Sequence, residues 1–381
     1  MKVLHVITGL GIGGAEQQLR LMLRHLPARS EVVTLTHPGP VARGIEADGV
    51  PVTHLGMAGN RDLGALPRLT RIVRQGRYDL VHTHLYRACV YGRIAARLAG
   101  VRAVLATEHS LGDTQIEGRP LSTGTRALYR ATERLGTATV AVSPSVARRL
   151  EGWGVAPSRI HVVPNGIETA RFGYAEDARR LTRRTLGLPD GAFVVGGVGR
   201  LAPGKRFDRL VRAVASVPEA RLLLVGEGPE RERLLAAGRE CGAADRMLLV
   251  GACEDPPPAG AERPDLPSLL AAMDVFVSTS PDETFGLAVV EALAAGLPAL
   301  YVACPAIDDL PPDAAPGARR IGPSVPELIS ALRGIRDARL ARLPQPAAAH
   351  RYDIAHSARQ LMSLYEQAVH GTPPPAKRAA R

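Results

Sequence analysis

Lysine is nearly absent from this chain. Of 48 basic side chains only Lys2, Lys205 and Lys377 are lysines, and the rest are arginine. Lys2 opens the chain and Lys377 falls in a Pro- and Ala-rich tail, so Lys205 stands alone in the interior. Aromatic residues are also scarce, at 4%. The core is therefore left to Leu, Val and Ala, and the positive charge lacks the interleaved aromatics of a nucleic-acid binder. The four cysteines, Cys89, Cys241, Cys253 and Cys304, show no C-x-x-C spacing. That argues against a zinc site or a disulfide framework and fits a reducing cytoplasm. No apolar run approaches the ~18–20 residues of a membrane span. The opening "MKVLHVITG" has strand length and lacks the h-region and cleavage site of a signal peptide.

What is present is enough chain for two domains. At 381 residues it exceeds one ordinary core. The charge is uneven: residues 1–171 carry a net +10 and residues 172–381 a net +1. A basic first half implies an anionic partner, such as an acidic membrane leaflet or a phosphorylated acceptor, or a solvated arginine-rich surface. Short apolar runs alternate with amphipathic stretches of about a dozen residues, which predicts βαβ units and parallel sheets. "KVLHVIT", "SEVVTLTH", "YDLVHTH", "RAVLATEH", "TATVAVS" and "RIHVVPNG" read as strands of a first doubly wound half. The pattern breaks into a charged, Arg-rich stretch near 172–192, then resumes with "GAFVVGGVGR", "ARLLLVGEG", "RMLLVG", "DVFVSTS" and "PALYVA". The expected divisions are 1–172, 173–349, a helix over 350–369 and a disordered tail over 370–381. Residues 253–267 are expected to form a Pro-rich surface loop.

Five loops carry the chemistry. "TGLGIGGAE" (8–16) follows the first strand and opens a helix. Its glycines allow backbone to approach a phosphate, and the helix N-terminus supplies N–H donors. The second strand, "VVTLTH", ends without the carboxylate that a nicotinamide dinucleotide would want. A phosphate contact, a ligand-free tight turn and a dinucleotide site remain open there. "HTHLY" ends a parallel strand, where such sheets bind ligands. His84 is a candidate for bonding a substrate hydroxyl, and His109 in "TEHS" ends the next strand. His82, nearer the strand interior, reads as a core histidine. No H-E-x-x-H or D-x-D motif supports a metal, and none is expected.

"GRLAPGKRF" presents Arg200 and Lys205 on one Gly/Pro loop. Two cations there suit a diphosphate leaving group, whose developing charge must be stabilised; a solvated basic loop is the alternative. Lysine offers a compact ammonium on a flexible stem, which arginine does not. "PDETFGLAVVEALAAG" places Glu283 before a helix and Glu291 eight residues later, with the Phe285, Gly286 and Leu287 amides at the helix start. Carboxylates beside an anion site suit a ligand with both phosphates and hydroxyls. "LVGEGPERERL" puts Glu227 and Gly228 in a Gly-rich turn that either faces a base or only connects two elements.

With these loops in order, the chain resembles the family 4 glycosyltransferases, which have the GT-B fold: two Rossmann-like domains facing across a cleft. The resemblance runs over nearly the whole chain, at "GLGIGGAE", "VHTHL", "VAVSPSV", "VVPNGIE", "GRLAPGKRFD", "LLLVGEGPERE" and the paired glutamates. It implies metal-independent sugar transfer from a nucleoside-diphosphate sugar, UDP favoured, with retention and without a cofactor. On that resemblance Gly13 and Gly14 contact the donor, Arg200 and Lys205 hold its diphosphate, and Glu291 binds the ribose. Glu283 binds the sugar hydroxyls, with Phe285, Gly286 and Leu287 nearby. Glu227 and Gly228 lie beside the base, His84 at the reacting centre and His109 on the acceptor side. The chain departs from the family at 301–317, where "YVACPAIDDLPPDAAPG" replaces a small Gly-rich loop.

The expected acceptor is a lipid-linked or cell-envelope glycan precursor, handled in the cytoplasm or peripherally at the inner membrane face. A soluble small-molecule acceptor, a sugar-nucleotide epimerase on the same fold and a non-catalytic partner subunit are the other readings. The altered loop motivates the last.

Overall fold

The structure, a computed structural model, describes residues 1–59, 62–112, 115–117, 119–253, 263–311, 313–338 and 341–371, and every count below refers to these. Most of the Pro-rich stretch expected at 253–267, nearly all of the 370–381 tail and residue 312 of the 301–317 loop lie outside the described residues. Contacts divide the chain into two compact units. The first is Met1–Gly166 together with the chain from Ile354 onward, and the second is Ile167–Asp353. The alternation pattern put the junction at 172, whereas the contacts divide the chain after Gly166.

The first unit runs β1 (Lys2–Ile7), α1 (Gly14–His25), β2 (Arg29–Thr34), α2 (Gly39–Ala47), β3 (Val52–His54), α3 (Ala65–Gly76), β4 (Leu80–His84), α4 (Tyr86–Ala99) and β5 (Ala103–Glu108). It continues with a short antiparallel pair, β6 (Gln115–Ile116) and β7 (Arg119–Pro120), then α5 (Thr123–Glu133), β8 (Ala138–Ala141), α6 (Pro144–Gly152) and β9 (Ile160–Val162). Seven strands form one parallel sheet in the order β3-β2-β1-β4-β5-β8-β9. Strand side chains alternate between faces. Leu4 and Val6 join Val33, Val81 and Val104 under α3 and α4, while Val3 joins Leu80, Leu105 and Val140 on the other face. Both faces are covered, which is why these strands read as near-continuous apolar runs.

The second unit holds α7 (Glu176–Thr185), β10 (Phe193–Val198), α8 (Phe207–Ala215), β11 (Ala220–Val225), α9 (Arg231–Glu240), β12 (Met247–Leu249), α10 (Leu266–Ala272) and β13 (Val275–Ser278). It ends with α11 (Leu287–Ala294), β14 (Ala299–Tyr301), α12 (Pro305–Asp308), β15 (Ala318–Arg320), α13 (Val325–Ala338) and α14 (Ala347–Arg351). Its parallel sheet has the order β12-β11-β10-β13-β14-β15. The α15 helix (Ile354–His370) then packs Ala358, Leu361 and Tyr365 against Val3, Leu80 and Leu105 of the first unit. A buried leucine such as Leu361 contributes about 2 kcal/mol.

One expectation needs correction. The single helix expected over 350–369 is broken, with α14 ending at Arg351 and α15 starting at Ile354. The Tyr352 carbonyl accepts from the Ile167 amide at 2.8 Å, and its hydroxyl donates to the Ala306 carbonyl at 2.6 Å. Those bonds hold the residue out of a continuous helix. The charged stretch at 172–192 contains α7, with Glu176 and Asp177 in its first turn and Arg183 and Arg184 in its last, which complements the helix dipole.

Arg183 is 2% exposed and donates to Asp274 at 2.8 Å, while Arg179 donates to the other Asp274 oxygen at 2.6 Å. Burial holds the Arg183 guanidinium below its ordinary pKa, against the pull of Asp274. Asp274→Ala would strand that buried cation at a cost of about 3 kcal/mol. The expected readout is a fall of roughly 6–12 °C in Tm. An unchanged melting curve would contradict this role for the carboxylate.

Candidate active site

In an open parallel sheet, ligands bind beyond the C-terminal strand ends where the strand order reverses. In the second unit that point lies between β10 and β13, which are neighbours in the sheet. The loop after β10 folds into a 3-10 turn, Pro203–Lys205, followed by Arg206 at φ +53°. A side chain rarely adopts that conformation without enforcement from its surroundings. Here the loop after β13 enforces it. Thr279 Oγ1 donates to the Lys205 carbonyl at 2.7 Å, and Ser280 Oγ to the Gly204 carbonyl at 3.4 Å.

The same two loops bring Lys205 and Glu283 together. Lys205 Nζ donates to Glu283 Oε1 at 2.5 Å, with side-chain exposures of 34% and 15%. The interior lysine is thus the partner of a carboxylate 78 positions away. The pair is partly shielded from water, which strengthens its attraction relative to a surface pair.

Beside it, Gly286 sits at φ +96° as the N-cap of α11, followed by Leu287, its first residue. A Cβ on Gly286 would lie 2.4 Å from Cys304 Sγ, so glycine is required on two counts. Phe285 is buried and meets the Tyr352 ring edge-on at 5.0 Å. The atypical loop after β14 backs this turn. Cys304 Sγ donates to the Phe285 carbonyl at 3.5 Å, and the Ala306 amide to the same carbonyl at 2.9 Å. Asp308 accepts from the Cys304 amide and the Tyr301 hydroxyl, both at 3.2 Å. Burial pushes the Cys304 thiol well up, so it packs as an inert group.

The other expected donor residues are less closely gathered. Arg200 is exposed just past β10 and makes no ion pair with a described residue. The Glu227 carboxylate pairs with Arg231 at 3.3 Å on a largely exposed surface. A Cβ on Gly228 would lie 2.4 Å from the Leu201 carbonyl, so that glycine permits two loops to touch. Glu291 is half-buried in the second turn of α11.

In the first unit the reversal falls between β1 and β4. Gly13 is the extended N-cap of α1 and Gly14 its first residue. A Cβ on Gly13 would lie 2.4 Å from Glu16 Oε2, so that carboxylate covers this helix start. Thr8 Oγ1, just past β1, is buried with no hydrogen-bond partner among the described residues.

His84 ends β4. The next residue, Leu85, has φ +73° and ψ 154°, a region almost reserved for glycine and costing roughly 1–3 kcal/mol. Glu117 Oε1 holds the Tyr86 amide at 2.5 Å and so fixes the start of α4. The sheet register sets His5 beside His82, and His84 beside Thr107. His82 is the core histidine the sequence suggested: Nδ1 meets the Tyr365 hydroxyl at 2.6 Å and Nε2 meets Thr107 Oγ1 at 2.7 Å. His84 bonds His5 through Nε2 and His109 through Nδ1, each at 3.2 Å. His84, His109, Gln18 and Asn165 line a pocket within this unit. The sequence suggested that His84 bonds a substrate hydroxyl, whereas both its ring nitrogens are bonded to other histidines in this structure.

Sequence reasoning missed His5, Thr279 and Ser280. The signal for His5 was a polar residue in the middle of an apolar central strand. The serine and threonine resembled ordinary loop residues until the register placed them under the lysine turn.

Residues 12–171 match the family described as Glycosyltransferase Family 4, and residues 178–318 the family described as Glycosyl transferases group 1. The chain is 30% identical over 307 residues to the 2-deoxystreptamine glucosyltransferase of Streptomyces kanamyceticus, covering 72% of this chain and 76% of that protein. It is 29% identical over 248 residues to the UDP-Gal:alpha-D-GlcNAc-diphosphoundecaprenol alpha-1,3-galactosyltransferase of Escherichia coli. That match covers 63% of this chain and spans 62% of the relative's length. Among solved structures, the Anabaena protein HepE in complex with UDP and glucose shares the fold, with a TM-score of 0.82 at 24% identity over 96% of this chain and all of that one. The chain belongs to the glycosyltransferases of the GT-B fold, built from two Rossmann-like parallel α/β units.

Burial lowers the pKa of all four clustered histidines, His5 to about 3, His109 to about 4, and His82 and His84 well below 6.5. The folded state therefore binds fewer protons than the unfolded chain below pH 6.5. Stability from these neutral rings is complete above that pH and is lost on acidification, at about 1.4 kcal/mol per ring per pH unit. Tm measured from pH 8 to pH 5 should fall steeply below pH 6.5. A flat profile would contradict the buried neutral cluster.

Proposed function

We propose that the protein is a retaining family 4 glycosyltransferase that moves a sugar from a nucleoside-diphosphate sugar, UDP-linked, to a hydroxyl of a lipid-linked or cell-envelope glycan precursor. The observation that carries this reading is the Lys205–Glu283 pair at the switch point of the second sheet. A bound diphosphate draws Lys205 to itself and frees Glu283 for the hydroxyls of the sugar. Arg200, exposed on the same loop, adds the second cation. The Gly286 and Leu287 amides supply donors at the start of α11.

In this proposal the acceptor oxygen forms a bond to the anomeric carbon on the face that the diphosphate leaves. The bond from that carbon to the phosphate oxygen breaks with its electron pair. The departing phosphate takes the acceptor's proton, so no protein base and no metal is needed. Lys205 and Arg200 stabilise the charge that develops on the leaving group. Gly13, Gly14 and the unpartnered Thr8 hydroxyl form the polar edge at the first switch point. Glu291 is assigned to the ribose, Glu227 and Gly228 to the base, and His109 to the acceptor side.

UDP as the donor nucleotide is supported by the UDP-Gal in the name of the Escherichia coli relative and by the UDP named with HepE. The lipid-linked acceptor is supported by the diphosphoundecaprenol in the name of the Escherichia coli relative. A small-molecule acceptor is the second reading, supported by the 2-deoxystreptamine in the name of the Streptomyces relative, which this chain covers more fully. No helix among the described residues is long and apolar enough to cross a membrane. Contact with a lipid-borne acceptor would fall to the basic first half.

Turnover of a donor and acceptor panel, followed as nucleoside diphosphate release, tests the reading. Lys205→Ala and Glu283→Ala should each lower transfer by about 10²-fold. Lys205→Arg should also be impaired, because a planar fork does not replace a compact ammonium. Near wild-type turnover in both alanine variants would overturn the site assignment.

A further inference from the structure

Four side chains on one face of the first sheet form a continuous line. Ser30 Oγ lies 3.4 Å from His5 Nε2. His5 Nδ1 lies 3.2 Å from His84 Nε2, and His84 Nδ1 lies 3.2 Å from His109 Nε2. The ring centroids lie 5.5 Å apart at each step with interplanar angles of 20° and 28°, so the rings run nearly parallel and edge to edge, as in-plane hydrogen bonds require. We propose that His5, His84 and His109 act as one hydrogen-bonded unit whose tautomers change together, with His5 as the positioning residue that fixes which nitrogen of His84 and of His109 carries the proton.

The constraint follows from counting protons. A neutral imidazole has one N–H and one bare nitrogen. Each link joins Nδ1 of one ring to Nε2 of the next, and each needs one proton. If His5 carries its proton on Nδ1, His84 Nε2 must be bare. His84 then carries its proton on Nδ1, and His109 must do the same. If His84 carries its proton on Nε2, both links reverse and all three rings become Nε2–H. A mixed set leaves two lone pairs or two N–H groups facing each other, inside a site where a lost hydrogen bond is expensive.

Ser30 closes the inner end in either state. Its hydroxyl donates to His5 Nε2 in one, and accepts from it in the other while donating toward the Ala28 carbonyl at 3.5 Å. Burial keeps the rings neutral, so the line sets polarity and does not store charge. At the outer end His84 and His109 line the pocket with Gln18 and Asn165. A substrate hydroxyl there would meet a polarity set jointly by three rings.

Nitrogens of His5, His82 and His84 also lie within 4.8 Å of one another, a spacing that could hold a metal ion. Both His82 nitrogens are already bonded, to Tyr365 and Thr107, which favours the hydrogen-bonded line.

The hydroxyl-bearing substrate rests on the glycosyltransferase reading, but the coupled tautomers do not. They are measured on the full chain without donor or acceptor, by long-range proton–nitrogen NMR of nitrogen-15-labelled histidine at pH 7, with resonances assigned by single substitution. The expected result is an equal Nδ1–H fraction at His5, His84 and His109. Unequal fractions, an imidazolium among the three, or one bound metal per chain by elemental analysis would overturn the proposal. His5→Phe keeps a ring but removes its nitrogens. It should shift the fraction at His84 and His109 by the same amount and lower kcat about tenfold, the worth of one hydrogen bond, with donor KM little changed. Wild-type fractions in a folded His5→Phe protein would overturn the positioning role. Should that variant not fold, the wild-type spectrum still decides the coupling.

Discussion

A parallel sheet ends all its strands on one edge, and everything chemical in this protein depends on that constraint. Loops separated by scores of residues are delivered side by side, while the strands behind them are locked by ladder hydrogen bonds and two apolar layers. In the second unit the edge joins the loop after β10 to the loop after β13, and Lys205 meets Glu283. In the first, the pairing of β1, β4 and β5 places His5, His82 and His84 on one face, with His109 just past β5. Neither cluster exists without its register, because a slip of one residue turns every side chain to the opposite face.

The two clusters use opposite electrostatics. The lysine and glutamate are partly exposed and charged, so an incoming anion can compete for the ammonium. The histidines are buried and neutral, so they offer direction without charge. Each cluster is followed by a strained residue, Arg206 after Lys205 and Leu85 after His84, both at positive φ. Such strain persists only where the surroundings over-determine it. Thr279 and Ser280 do so for the lysine turn, and Glu117 does so at the start of α4.

The doubly wound architecture was legible because buried parallel strands are continuous apolar runs and the helices between them keep a 3.6-residue period. The glycine loops were legible for a related reason: Gly286 has to be glycine both for its backbone angle and for its contact with Cys304. Pairing was not legible. The isolation of Lys205 in an arginine-rich chain marked it as special, but its partner lay 78 residues on and was assigned a separate task. His5 was hidden inside a strand. The break at Tyr352 was hidden too, because it depends on a bond to Ile167 from the far end of the second unit. The loop after β14, whose departure from the family pattern motivated the non-catalytic reading, builds a short helix that supports the Phe285–Gly286 turn.

In the proposed reaction Lys205 holds the nucleoside diphosphate. Thermal stabilisation of the purified chain against UDP, GDP, TDP, ADP and NAD, with Lys205→Ala in parallel, tests it most directly. The expected result is a clear shift with one nucleoside diphosphate, worth roughly 2.7 kcal/mol at about 100 times Kd, and its loss in the variant. A shift with NAD alone, or an equal shift in Lys205→Ala, would contradict it.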